Sequence, residues 1–131
     1  MYLTLFYGVI DPAAGTLAYS NAGHGHAFRI TSGGEAHRLD ATDPPFGIVD
    51  RDTYGETVVP WTAGEDLLFL FTDGLSDALD AGEIEGERVL VDEAIRLRND
   101  APGLVIDRLF VRAGEATHVP PDDRTAVVVR F

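Results

Sequence analysis

Two short stretches of this chain set carboxylates against strongly apolar runs. In Leu70-Phe71-Thr72-Asp73-Gly74 an apolar run ends in an Asp followed by Gly, and in Pro120-Pro121-Asp122-Asp123-Arg124-Thr125 an Asp pair precedes Ala126-Val127-Val128-Val129. Oxygen donors are what Mg²⁺ and Mn²⁺ prefer, and a Mg²⁺ site commonly combines one or two carboxylates with retained waters. If the two runs are neighbouring strands, Asp73 and Asp122 converge on one ion. The same residues have a plainer use, because an Asp at a strand end commonly serves as a turn residue or a helix cap and Asp-Gly is a frequent turn dipeptide. On spacing alone that use is the commoner. His24-Gly25-His26 is a second grouping. His-x-His on one strand face can bind zinc, and His can act as a general acid. Both histidines follow Ala22-Gly23 at a turn, where a structural use is the simpler reading. Arg124 has a guanidinium fork suited to phosphate, or it pairs with its acidic neighbours, the commoner arrangement.

The elements that must carry these residues can be read from periodicity. Tyr2 to Ile10 is a nearly unbroken apolar run, the pattern of a strand buried on both faces. Asp11-Pro12-Ala13-Ala14-Gly15 makes a turn, Thr16 to Ala22 and His26 to Thr31 read as the next strands, and Glu35 to Leu39 as a short strand pairing back across Ser32-Gly33-Gly34. Asp40 to Asp52, with its two adjacent prolines, is a loop, and Thr53 to Val59 alternates as a half-exposed strand. Leu67 to Phe71 is the most apolar run and the central strand. Glu87 to Asn99 carries a helical stripe, and Ala101-Pro102 opens a second helix with Pro in its first turn. The polar Gly114 to Asp123 segment leads to a last strand, Thr125 to Arg130. Strands, then helices, then a returning strand predict an α+β architecture.

Length and charge narrow the function. One domain fills residues 1–131, and the net charge of −12 opposes a polyanionic partner, since nucleic acid is bound through Lys and Arg. No apolar run approaches the roughly 20 residues that span a bilayer. With no cysteine there is neither a disulfide nor a thiolate metal site. The N-terminal residues lack the basic and small-residue signature of a secretion signal, so the expected location is cytoplasmic, with no membrane and no nucleic-acid partner.

Five motifs, in order, carry a resemblance. They are Thr4-Leu5-Phe6-Tyr7-Gly8-Val9-Ile10-Asp11, Tyr19-Ser20-Asn21-Ala22-Gly23-His24, Pro45-Phe46-Gly47, Phe71-Thr72-Asp73-Gly74-Leu75-Ser76-Asp77-Ala78 and Asp122-Asp123-Arg124-Thr125-Ala126-Val127-Val128-Val129. Together they resemble the metal-dependent serine/threonine protein phosphatases related to type 2C, in the bacterial SpoIIE-like and RsbU-like branch, over essentially the whole chain. The resemblance implies an α/β/β/α four-layer sandwich and a two-metal Mn²⁺ or Mg²⁺ site. It implies a phosphoserine or phosphothreonine protein substrate, of the anti-anti-sigma factor kind, within sigma-factor regulation. By motif position Asp73 and Asp122 correspond to ligands of one metal, and Asp123 aligns with a neighbouring polar position.

The departures shape the expectation. The family's first motif, with the acid that bridges both metals, lies ahead of the Thr4-Leu5-Phe6-Tyr7-Gly8 stretch, and Met1 stands almost on top of that stretch. The expected domain is therefore incomplete, a C-terminal portion lacking N-terminal strands and holding ligands for about one metal. Uncovered strands would then favour a dimer or looser association. Gly25-His26 stands where the family commonly has Asn-Pro, and Asp77 where it has Glu. Two other readings stay open: an inert phosphatase-like module that binds a regulatory protein, and an unrelated zinc hydrolase built on His24 and His26.

Overall fold

The computed structural model describes residues 1–50, 52–115 and 122–131. Its elements run β1 (Leu5–Asp11), β2 (Thr16–Ala22), β3 (Ala27–Ile30), β4 (Ala36–Arg38), β5 (Thr57–Pro60), β6 (Leu67–Phe71), α1 (Asp73–Asp77), α2 (Glu83–Arg96), α3 (Pro102–Ala113) and β7 (Ala126–Arg130). The strands form two antiparallel sheets, a three-stranded one in the order β1-β2-β5 and a four-stranded one in the order β4-β3-β6-β7. This is the α+β arrangement that the order of strands and helices predicts.

The period-2 alternation of β6 decides where its side chains go. Leu67, Phe69 and Phe71 turn to the helices and pack with Phe28, Ile30, Leu90, Ala94, Val105 and Leu109. Leu68 and Leu70 turn the other way and meet Leu17, Tyr19, Leu39 and Trp61 between the sheets. The layers are thus helices, four-stranded sheet, three-stranded sheet. Among the described residues no helix covers the outer side of β1-β2-β5, so three of the four expected layers are present.

That open side corrects one expectation. The apolar run at Tyr2 to Ile10 predicts a strand buried on both faces. The strand is Leu5–Asp11, at a sheet edge, and only Phe6 and Ile10 pack inward. Leu5, Tyr7 and Val9 face outward and stay exposed, Tyr7 at 64%. Sequence apolarity records what a strand could bury; burial needs a second layer, and none is described here.

The helices also differ in detail. The first long helix begins at Glu83 rather than Glu87, because Ile84 in its first turn points to solvent and the buried stripe starts late, at Gly86 and Leu90. Glu83 and Glu85 lie in that first turn, where negative charge offsets the exposed amides of a helix start. Gly86 lets α2 approach α1 closely: a Cβ there would stand 2.6 Å from the Ser76 carbonyl oxygen. The second long helix starts where expected, with Pro102 at its N-terminal turn. No helix among the described residues is long and apolar enough to cross a membrane.

Candidate functional site

β6 and β7 are neighbours, with Phe71 opposite Ala126. The pairing continues past the strands: Thr72 N donates to the Thr125 carbonyl at 3.0 Å, and Thr125 N donates to Thr72 Oγ1 at 3.1 Å. The Asp73 and Asp123 segments therefore leave the sheet side by side. Asp73-Gly74 forms no turn. It opens the five-residue helix α1, with the Asp73 carbonyl accepting a bond from Ser76 Oγ at 3.0 Å. Gly74 seats directly on the other segment, where a Cβ would stand 1.9 Å from the Asp123 carbonyl oxygen. No other residue type fits that contact. Asp122 and Asp123 are exposed, and Asp122 Oδ1 accepts the Asp123 amide at 2.7 Å. Pro120 and Pro121, the prolines of this motif, lie outside the described residues.

The histidines separate into two roles. His26 continues the helix-facing alternation of Phe28 and Ile30 and is 6% exposed. Its Nε2 lies 2.6 Å from Asp73 Oδ1 and its Nδ1 2.5 Å from Glu87 Oε2, while its ring stacks on Phe71 at 4.5 Å between centroids. Glu87 in turn accepts both terminal nitrogens of Arg38, and Arg38 Nη1 also donates to the Gly25 carbonyl at 2.7 Å. Burial would raise the Glu87 carboxyl, but hydrogen bonds from Arg38 and His26, with their charges, outweigh it and hold it below the ordinary carboxylate range. His24 is half-buried; burial pushes its imidazole below the usual value, against a hydrogen bond with the His26 carbonyl. The two rings do not converge on a common cation. Arg124 forms no ion pair with a described carboxylate, against the acidic pairing that its neighbours suggest.

Glu87 and Arg38 escape a sequence reading because they are distant in the chain from the residues they touch. The available signal is the period-2 register of His26 with Phe28 and Ile30, which puts a polar ring on a core-facing position and calls for buried partners.

Asp73, Asp122 and Asp123 offer oxygen donors at this rim. Asp73 is 74% exposed at its side chain, and among the described residues no three His, Asp or Glu side chains gather into a metal cluster. Such a donor set fits a hard divalent cation that keeps most of its waters and does not form a closed protein cage. It does not fit zinc on His24 and His26.

These features define a class by fold. The chain shares the fold of the PP2C phosphatase domain solved for SpoIIE of Bacillus subtilis, with a TM-score of 0.80 and 23% identity over 98% of this chain and 37% of that one. The Stage II sporulation protein E (SpoIIE) family profile matches residues 1–131, and the chain belongs to that family. Among curated relatives, Protein IcfG of Synechocystis is 42% identical over 78 residues, which is 60% of this chain and 12% of that protein. The phosphoserine phosphatase RsbP of Bacillus subtilis is 37% identical over 76 residues, 58% of this chain and 19% of that protein. The match thus spans less than a fifth of either relative.

Proposed function

We propose that this chain forms part of a metal-dependent protein phosphatase site that hydrolyses phosphoserine or phosphothreonine on a regulatory protein, an anti-anti-sigma factor being the substrate kind the family resemblance implies. The observation that carries the reading is the β6–β7 rim, where the Asp73 and Asp122-Asp123 segments emerge together and Gly74 seats against the Asp123 carbonyl. RsbP, as a phosphoserine phosphatase, supports the reaction class. The strongly acidic chain and a phosphoprotein substrate suit a cytoplasmic location.

Asp73 and Asp122 would hold Mn²⁺ or Mg²⁺, with Asp123 a further oxygen donor beside them. Bound there, the cation supplies Lewis acidity that eases deprotonation of water and offsets charge on the phosphoryl group. The residues of this chain fix the donors. β6–β7 pairing sets the separation of the two acidic segments, the Gly74 contact locks their approach, and the exposure of the carboxylates leaves room for water and a phosphorylated side chain. A second reading is favoured by the lack of a three-residue cluster among the described residues: an inert phosphatase-like module that binds a regulatory protein.

Calorimetric titration with Mn²⁺ and hydrolysis of a phosphoserine peptide separate the two. Asp73→Asn and Asp122→Asn should each weaken Mn²⁺ binding about tenfold or more, roughly 1.4 kcal/mol, and the double variant should lose less than the sum because the site acts as a unit. Turnover by the chain alone should be low, since among the described residues no three acidic or histidine side chains gather to clamp two metals about 3.5–4 Å apart. Unchanged Mn²⁺ affinity in both single variants would remove the metal reading and leave the binding module.

A further inference from the structure

We infer that His26 is a positioning residue for Asp73, fixing the carboxylate that takes the cation; the inference rests on the metal reading just given. Asp73 is an exposed carboxylate on the first residue of a five-residue helix, and among the described residues His26 is the one side chain it bonds. Left alone, such a side chain would turn freely about its two torsions. His26 removes that freedom by tying Oδ1.

The ring is itself immobilised in three ways. Stacking on Phe71, at 11° between planes, fixes its tilt, and the bonds to Asp73 and Glu87 fix both in-plane ends. Glu87 is held by the fork of Arg38, which lies over the Phe28 ring at 4.8 Å. A carboxylate oxygen lies within hydrogen-bond distance of each ring nitrogen, and the Nε2 end is the one tied to Asp73. A bond to so exposed a carboxylate adds little to stability. Its effect therefore falls on the orientation of Asp73, and partners of ligating carboxylates commonly change metal affinity 10–100-fold when removed.

The test is Mn²⁺ affinity of the chain by calorimetry, with thermal unfolding as a separate measure of the fold. His26→Phe keeps a flat ring on Phe71 and deletes both hydrogen bonds; it should weaken Mn²⁺ binding 10–100-fold. His26→Gln, whose amide nitrogen can replace Nε2 as donor, should recover most of that loss. In an Asp73→Asn background, His26→Phe should cause no further loss, because its action runs through Asp73. A further loss as large as in the parent chain would show a general effect on folding and overturn the inference. If Asp73→Asn weakens binding and His26→Phe does not, positioning is refuted while the metal reading stands. Unchanged binding in Asp73→Asn, or no Mn²⁺ binding by the parent chain, overturns both. Should His26→Phe fail to fold, Glu87→Gln, which loosens the far end of the ring, should still weaken Mn²⁺ binding severalfold, and no change there would refute the inference.

Discussion

The two sheets share an interface and differ on their outer sides. β4-β3-β6-β7 is packed on both faces, with Phe69 and Phe71 buried under α2 and α3. β1-β2-β5 is packed on one, and Leu5, Tyr7, Val9 and Val58 stand exposed on the other. Equal apolarity in sequence thus yields unequal burial. The candidate site lies on the sheet that is clamped from both sides, where a carboxylate can be held in one place. The open sheet offers apolar surface and, among the described residues, an edge strand at β1, which is material for association.

The largest contrast should come from truncating one aromatic on each sheet. Phe69→Ala removes a fully buried ring and should destabilise by about 3–5 kcal/mol in urea unfolding. Tyr7→Ser on the open side should change stability by no more than about 0.5 kcal/mol. Equal losses would mean that the outer side of β1 is covered in solution. Sedimentation sharpens the same point: we expect the chain to associate with rising concentration, and Tyr7→Ser to reduce that association.

Next in size is Gly74→Ala, which forces the Asp73 and Asp123 segments apart. A loss of about 1–3 kcal/mol is expected, accompanied by weaker Mn²⁺ binding, whereas Gly25→Ala meets no atom within 4 Å and should do neither. The smallest effect concerns acid. The Glu87 carboxyl is depressed in the folded chain from an ordinary value of 4.5, so its stabilisation is complete above that pH and is lost as pH falls through the folded value. Relative to Glu87→Gln, the parent chain should hold an advantage of about 1 kcal/mol or less at neutral pH that shrinks only below about pH 4.5. An advantage that grew on acidification would contradict the ion-paired state.

Most of the succession of strands along the chain is legible from alternation and turn residues, and β2 and β6 have the bounds that their patterns predict. Tertiary context is what periodicity lacks. It cannot tell that β1 has one partner layer, or that Ile84 extends a helix without joining its buried stripe. Spacing alone favours a structural use for the Asp73 and Asp122-Asp123 segments; the family resemblance is what singles them out, and the register of β6 and β7 supplies their proximity. The His26–Glu87–Arg38 line is invisible to local spacing, because it joins a strand, a helix and a second strand through side chains alone.

The pairing of β6 with β7 also sets a timetable. β6 leaves the ribosome before all three helices, and its partner leaves after them. At roughly 5–20 residues per second, the most apolar strand of the nascent chain waits several seconds with one edge unpaired. During that interval Asp73 has been synthesised but the Asp123 carbonyl that seats Gly74 has not. On the metal reading proposed above, metal-binding capacity would then arise late in synthesis, after the helical core has had time to collapse onto β3 and β6. A nascent chain stalled before β7 should therefore engage chaperones through β6 and remain blind to Mn²⁺.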